Sequence, residues 1–356
     1  MRDHAASMTP PNACTSSVED DTRAGNSLPY GVVMATAGAS ALARACGLPA
    51  LTAPLLALAI AQAVYIPLTG VWRQHRTWRA QWAMGSPSQL AGVHTVPLGL
   101  AVISGGLGDL GASDVAPWLE PVAIFSLVLA WVLTLVCIGR FAWSLMTRGM
   151  HLETVDGAWF LVPAALLGTG MATLTLADSG SVVWTWLALG SVLGGWAGYC
   201  ATAIAAATRI RRCGIRGVAQ APWWIAMGCA GLAVAALGHL LHAHDPGPML
   251  HAGLAAVMLA TAVLAVILCV PIVGGSVRFL CLNCRFRALA AWPPTFSTAV
   301  FAFGCLQAGE VLSLPAFRWL GFGAGCATPV FWATTTGWNV AHHCANRMSG
   351  RRNGVE

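Results

Sequence analysis

The segment Pro222–His242, PWWIAMGCAGLAVAALGHLLH, carries the strongest fold signal in this chain. It has no charged side chain before His239, and about twenty residues at roughly 1.5 Å each can cross a hydrocarbon layer of about 30 Å as one helix. Its interior is rich in alanine and contains Gly228, Gly231 and Gly238. Because small side chains let helix backbones approach closely in a membrane, the pattern predicts a transmembrane helix that faces protein rather than lipid.

Four further segments have the same small-residue character: Leu28–Gly47, Leu90–Leu110, Asp156–Ala177 and Pro294–Leu314. Each of the five is followed by a bulkier apolar partner, namely Pro49–Trp72, Pro121–Gly139, Val182–Ala207, Met249–Val273 and Phe317–Ala341. The pairs begin at intervals of roughly 62 to 74 residues, which is typical of repeated units. We therefore predict an all-α integral membrane domain of ten helices in five hairpins over residues 28–341. A disordered tail, residues 1–27, is expected before it and a second tail, residues 342–356, after it.

Composition supports the membrane class. Of the 356 residues, 57% are hydrophobic and 9% are charged, against about 25% charged in a typical soluble domain. The net charge of +6 comes from arginines in short loops without a basic domain, so we expect a lipid bilayer and no nucleic acid as partner. The 12 cysteines lie mostly in or beside apolar segments and predict structural thiols. Residues 1–27 show no apolar core of a cleavable signal, so the first span is expected to direct insertion.

Arginine placement predicts the orientation. All but Arg44 and Arg318 of the 19 basic residues fall in the two tails or in the loops after even-numbered spans. The opposite loops carry the aspartates Asp109, Asp114, Asp178 and Asp245. Because cytoplasmic loops accumulate arginine, both termini are predicted to be cytoplasmic in a multi-pass plasma-membrane protein. All odd-numbered spans then run parallel.

Proline and glycine positions predict how the spans bend and pack. Pro97 and Pro163 each lie seven residues into an odd-numbered span, where a proline frees a carbonyl and bends the helix. Such kinks favour a pore lined by the odd spans, and kinks buried against neighbouring helices are the alternative. In an even-numbered span, Gly190, Gly194 and Gly198 recur every four residues and predict a close-packing face.

Three short motifs resemble the tellurite-resistance/dicarboxylate transporter family, whose fold includes the slow-type anion channels of plants and fungal malate permeases. They are PYGVVMAT at Pro29–Thr36, DGAWFLV at Asp156–Val162 and PWWIAMG at Pro222–Gly228. The resemblance covers residues 28–341. It implies an inner ring of odd helices around a central pore, an outer ring of even helices, and commonly a homotrimer.

The resemblance also implies that a phenylalanine on the ninth helix closes the pore at mid-membrane. The family pattern resembles Trp-x-x-x-Phe-Pro, and Phe301 is its best match in this chain. Ser297 replaces the tryptophan and Ala302 the proline, which leaves Phe303 as a competing candidate. The alternative role for either ring is packing in a helix interface.

Glu310 and His94 lie within odd-numbered spans and are candidates for coupling. Glu310, nine residues beyond Phe301, could couple protons, or it could be an interfacial glutamate that reaches the headgroups. His94 could sense protons at the inner mouth, or it could be a hydrogen-bonded histidine at a helix end.

Histidines and cysteines raise the question of a metal. His239 and His242 lie three residues apart, with His244 and His251 just beyond, and facing imidazoles could hold a metal or haem. The one Cys281-Leu-Asn-Cys284 motif lacks a second pair, so no zinc site is expected. We predict no cofactor and no metal.

Several catalytic classes are excluded by motif. The chain contains no lysine, so no phosphate-binding Gly-x-x-x-x-Gly-Lys loop exists, and no Gly-x-Ser-x-Gly or His-Glu-x-x-His occurs. The absence favours solute movement over enzyme catalysis. On the resemblance we expect a permease or channel for small anions, such as a C4-dicarboxylate, tellurite or an inorganic anion. The alternatives are a proton-coupled dicarboxylate transporter and a membrane redox protein that uses the outer histidines.

Overall fold

The computed structural model of the chain describes residues 30–111, 116–176, 181–213, 221–243, 248–283 and 292–352. Within these ranges the regular structure is helical and no β-strand occurs. The all-helical class is therefore confirmed. The predicted N-terminal tail, residues 1–27, lies outside these ranges, as do His244 and Cys284.

Eleven α-helices follow one another in the described ranges. They are α1 Gly31–Ala45, α2 Pro49–Met84, α3 Pro87–Val93, α4 Thr95–Gly111, α5 Leu119–Arg148, α6 Leu161–Leu176, α7 Val182–Cys213, α8 Trp224–Ala243, α9 Pro248–Asn283, α10 Trp292–Val311 and α11 Pro315–Arg352. Single 3-10 turns over Gly157–Phe160 and Ala221–Trp223 lead into α6 and α8.

Local sequence explains several helix ends. α1 stops before Gly47, whose φ of +70° is a left-handed conformation that glycine adopts readily, and Pro49 opens α2. At the start of α3, the Ser86 side chain accepts a hydrogen bond from the backbone N–H of Gln89. The Gln89 side chain in turn accepts one from the N–H of Ser86, so a reciprocal capping box begins this helix.

Seven helical segments of the described chain are long and apolar enough to cross a membrane. These are α2, α3 with α4, α5, the 3-10 turn with α6, α7, α8 and α9. With 15 residues α1 is too short for this criterion, and α10 and α11 are not among the seven. Burial divides the seven into two groups. In α3 with α4, in the turn with α6 and in α8, 72 to 94% of the most apolar stretch is buried. In α2, α5, α7 and α9 only 17 to 28% of it is buried.

Five helices contact one another in a closed cycle, and we call them the enclosed helices: α1, α4, α6, α8 and α10. In order, α1 packs on α4, α4 on α6, α6 on α8, α8 on α10, and α10 back on α1. Each also packs against the next long helix in the chain, giving the pairs α1 with α2, α4 with α5, α6 with α7, α8 with α9 and α10 with α11. Equivalent ends meet within the cycle: an ion pair between Arg44 and Asp109 joins the C-terminal ends of α1 and α4. At the other end, Gly157 lies against Pro222 just before α6 and α8, so these neighbours run parallel.

Large apolar side chains are exposed on the helices outside the cycle. Examples are Phe125 on α5, Ile204 on α7 and Val270 on α9. A soluble protein rarely exposes so extensive an apolar surface, which is instead what lipid chains would cover. The buried core and the apolar outer surface are therefore formed by different helices.

The helices extend beyond the predicted spans. α2 continues to Met84 rather than ending at Trp72, and α11 continues to Arg352, through most of the predicted C-terminal tail. Apolar composition marks only the part of a helix suited to hydrocarbon, whereas helical hydrogen bonding can continue into water. Span ends read from hydropathy are therefore not helix ends.

The predicted glycine face of α7 is wrong at two of its three positions. A Cβ at Gly190 or Gly194 would meet no atom within 4 Å. The packed positions are Gly195, where a Cβ would lie 2.7 Å from Leu167, and Gly198, beside Pro163. A strict four-residue repeat drifts around a helix of 3.6 residues per turn, so the face toward α6 needs a step of three as well as four.

Candidate permeation pathway

Phe301 lies where α8 and α10 touch through their backbones. A Cβ on Gly231 would lie 2.6 Å from the Cα of Phe301, and Gly304 lies directly against the backbone of Gly231. Two glycines facing each other remove the side chains that would otherwise separate the helices. The contact therefore fixes the height of Phe301 relative to α8.

Two of the three phenylalanines of α10 are enclosed. Phe301 is 2% exposed, and Phe296 is fully buried against Gly38 of α1. A residue with so little exposure is out of reach of a water-sized molecule. The Phe301 ring is therefore not in contact with water in this structure.

Phe303, the competing gate candidate, occupies a different environment. It is partly exposed, and its ring centroid lies 6.0 Å from that of His239 on α8. Residues two apart on a helix point in nearly opposite directions, so Phe301 and Phe303 cannot serve the same position. The structure places Phe303 beside His239, toward the C-terminal ends of α8 and α10.

Two hydroxyl groups of α10 are buried without a protein partner. Thr295 and Ser297 are both fully buried, and neither Thr295 Oγ1 nor Ser297 Oγ makes a hydrogen bond. By contrast, Thr298 Oγ1 donates to the carbonyl of Pro294 at 2.7 Å. A buried hydroxyl that lacks a partner costs about 1 to 3 kcal/mol, and Ser297 Oγ lies against Gly228 in the contact between α8 and α10. Sequence reasoning missed them because serine and threonine in membrane helices usually bond their own backbone.

His94 lies at a break in the third predicted span, between α3 and α4. Its Nδ1 is 3.2 Å from the carbonyl oxygen of Leu90 and 3.1 Å from that of Ala91, so Nδ1 must carry the proton. Its Nε2 has no partner, and its ring meets Phe141 edge-on at 6.3 Å. The side chain is fully buried. This is the geometry of a hydrogen-bonded histidine at a helix end, the second of the two roles considered for it.

Pro97 and Pro163 lie in the first turn of α4 and of α6, not inside a continuous helix. Pro97 has no backbone N–H and cannot donate a hydrogen bond to the carbonyl of Val93, four residues earlier. α3 ends at Val93. Pro163 follows the 3-10 turn over Gly157–Phe160. Both prolines thus mark where an enclosed α-helix begins, and both are buried.

Charged groups meet at the C-terminal ends of the enclosed helices. Arg44 pairs with Asp109, and both side chains are partly exposed. Glu310, in the last turn of α10, is exposed. The sequence placed Arg44 and Asp109 on the same side of the membrane, opposite the arginine-rich loops, but it did not predict that they pair.

Around the outer histidines of the described chain, no group of three or more His, Cys, Asp or Glu side chains comes together. His239 Nδ1 lies 3.2 Å from the carbonyl oxygen of Ala235. His242 and His251 are both exposed. Among the described residues these histidines are explained by their own helix and by the surface.

An arginine from a neighbouring helix lies beside the N-terminal end of α8. The Arg209 guanidinium of α7 lies 5.6 Å from the ring centroid of Trp223, just before α8. Trp223 belongs to one matched motif, and its neighbour Pro222 touches Gly157 of another. A Cβ at Gly157 would overlap the Pro222 carbonyl, which explains why this motif position is a glycine. Two of the three motifs that suggested a family are thus packed against each other.

Comparison with known proteins identifies the family of the chain. The family model SLAC1, described as a voltage-dependent anion channel, matches residues 29–339. No curated protein matches the chain, and no solved structure matches it. The matched range contains all five enclosed helices and the three motifs of the resemblance, so the suspected family is confirmed. This chain belongs to the voltage-dependent anion channel family.

Proposed function

We propose that this protein is a permease or channel for small anions and that the solute passes between α1, α4, α6, α8 and α10. Family membership supports an anionic solute in general. The observation that carries the pathway is the closed cycle of enclosed helices, one of which, α10, bears the unpartnered hydroxyls of Thr295 and Ser297. Hydroxyl groups can donate to an anion that has left its hydration shell.

Phe301 is proposed as the gate. Its ring is enclosed at the contact between α8 and α10, one turn beyond the hydroxyl of Ser297. An aromatic ring that excludes water blocks an ion, because the ion would have to shed its hydration shell without replacement. Rotation of the ring or a small adjustment of α10 would open the path.

Ten transmembrane helices in five hairpins are proposed as the membrane architecture. The pairing of each enclosed helix with the next long helix supports this arrangement, as does the apolar surface on α5, α7 and α9. We place both termini in the cytoplasm, because Arg140, Arg148 and Arg209 lie at the end where α3 and α8 begin. A homotrimer, which the family resemblance implies, is part of the same proposal.

Charge at the proposed cytoplasmic mouth would favour anions. Parallel α-helices direct the positive ends of their dipoles to one side, here the side of Arg209. At the opposite end the charge of Arg44 is balanced by Asp109. An anion would therefore meet a more positive mouth on the arginine side.

Passive movement is favoured over proton coupling. Coupling requires a titrating group on the path, and the enclosed side chains of the described residues include no aspartate or glutamate. Glu310 is exposed, and His94 is sealed from water. The C4-dicarboxylate, tellurite and inorganic anions remain the proposed solutes.

The test is a flux screen of purified protein in liposomes with chloride, nitrate, malate, succinate and tellurite, each with and without a proton gradient. We expect at least one anion to move faster than in protein-free liposomes, at a rate that an imposed pH difference does not change. Uptake that depends on the proton gradient would replace the passive mechanism with the coupled one. No flux of any anion, with the Phe301→Ala protein included, would reject the proposed function.

A further inference from the structure

A polar cavity lies away from the α8–α10 contact, where α3 begins and α5 ends. Its accessible space is about 90 Å³, against roughly 10 to 15 Å³ for one water molecule. The lining residues are Gly85, Leu90, Arg140, Trp143, Ser144, Thr147 and Arg148. None belongs to α1, α4, α6, α8 or α10, so the cavity is separate from the proposed pathway. It is large enough for a polyatomic group.

Three polar residues of α5 line the cavity from one helix face. Arg140, Ser144 and Arg148 follow one another at intervals of four, and residues four apart are neighbours on a helix surface. Arg148 Nη1 donates to the carbonyl of Gly85 at 2.9 Å, which holds this guanidinium at the cavity wall. Two guanidinium groups that face one small cavity form a site for an anion with several oxygen atoms.

Ser144 provides an independent indication of a ligand. Its residue is 4% exposed, it lines the cavity, and its Oγ has no hydrogen-bond partner. Many hydroxyl groups in these helices donate to a carbonyl of the preceding turn, as Thr147 does to Trp143 at 2.8 Å. A buried hydroxyl left without a partner is unfavourable, and an acceptor oxygen inside the cavity would satisfy it.

The cavity also lies at the depth of lipid headgroups. α5 has 30 residues, about 45 Å of helix, which is longer than a hydrocarbon layer of about 30 Å. Its middle exposes apolar side chains such as Phe125 and Leu135, whereas Trp143 is exposed beside the cavity. Tryptophan is enriched at the boundary between hydrocarbon and headgroups. Arg140 and Arg148, near the end of this long helix, are therefore expected at the level of lipid phosphates.

We propose that this cavity binds a phosphate group, carried by an anionic lipid headgroup or free in solution, through Arg140, Arg148 and the hydroxyl of Ser144. Lipid and free phosphate present the same oxygen atoms to these donors. The guanidinium groups supply charge and paired donors, and Ser144 adds one neutral donor. The site is independent of anion permeation.

The test is lipid binding to the purified full-length protein by native mass spectrometry, with phosphatidic acid and with phosphatidylcholine as the zwitterionic comparison. We expect phosphatidic acid to bind preferentially. The double substitution Arg140→Gln and Arg148→Gln should reduce its binding about tenfold, since two charge-assisted contacts are lost. The matched control changes two exposed arginines of α7, Arg211→Gln and Arg212→Gln, and should bind like the unaltered protein.

Inorganic phosphate distinguishes the two sources. Calorimetric binding of phosphate alone, lost in the Arg140 and Arg148 variant, would assign the site to free phosphate. Phosphatidic acid that binds and is not displaced by excess phosphate would assign it to a lipid.

Ser144→Ala covers the case in which the double variant fails to fold. It should weaken binding of the preferred probe severalfold without lowering the thermal unfolding midpoint, because the deleted hydroxyl makes no protein hydrogen bond. Absence of binding of both probes to the unaltered protein, equal binding by Ser144→Ala, or equal loss in the Arg211 and Arg212 control would overturn the proposal. None of these results depends on anion flux.

Discussion

The Phe301→Ala protein is expected to pass anions through liposome membranes at least roughly tenfold faster than the unaltered protein. Phe301 is enclosed at the contact of α8 with α10, and removing its ring opens space at the proposed narrowest level. A tenfold rise requires the barrier to fall by only about 1.4 kcal/mol, which is modest for an obstruction that excludes water. The measurement is initial flux per protein, with the anion that moves fastest in the screen.

Phe296→Ala is the matched control, because it deletes the same ring from the same helix. Phe296 is also fully buried, but it packs against Gly38 in the contact of α1 with α10. Both substitutions should destabilise the fold by a similar amount, about 3 to 5 kcal/mol for a buried phenylalanine. Only Phe301→Ala should increase flux. An increase in Phe303→Ala instead would move the gate to that residue, and no increase in either would remove the phenylalanine gate.

The Gly231→Ala protein is expected to be strongly destabilised. The new methyl carbon would lie 2.6 Å from the Cα of Phe301, and backbone, unlike a flexible side chain, cannot rotate away. α8 and α10 must therefore separate, and overpacking of this kind costs about 1 to 3 kcal/mol or more. The measurement is the thermal unfolding midpoint in detergent, together with the yield of monodisperse protein.

Gly253→Ala on α9 is the comparison for this prediction. A Cβ there meets no atom within 4 Å, so only helix propensity changes. Alanine is favoured over glycine in a helix by up to about 1 kcal/mol, and this variant should be as stable as the unaltered protein or slightly more so. Equal midpoints for Gly231→Ala and Gly253→Ala would mean that the backbone contact is not a tight one.

The sequence predicted the family and the all-helical class because both depend on features that span the whole chain. Both inferences rest on apolar content, recurring small-residue segments and three ordered motifs. They do not change if a span boundary is misplaced by a few residues. The family match over residues 29–339 confirms that inference. Helix ends were less accurate, as α2 and α11 show, because hydropathy is silent on helix that continues outside the hydrocarbon layer.

Local packing was the part that sequence alone could not give. The regular spacing of Gly190 and Gly194 suggested a contact face, yet only three-dimensional placement shows that Gly195 and Gly198 face a neighbour. The unpartnered hydroxyls of Thr295 and Ser297 depend on which bonds α10 leaves unmade. Pro97 indicated a bend in the third span. Only the structure shows that the helix is interrupted at His94 and that Pro97 lies in the first turn of the next helix.

The most direct test of an anion path between the five enclosed helices is the reversal potential of the Phe301→Ala protein in planar bilayers. A gradient of the potassium salt of the fastest anion is imposed across the bilayer. We expect the current to reverse close to the equilibrium potential of that anion. Reversal close to the potassium potential, or no current above that of a protein-free bilayer, would contradict an anion-conducting path.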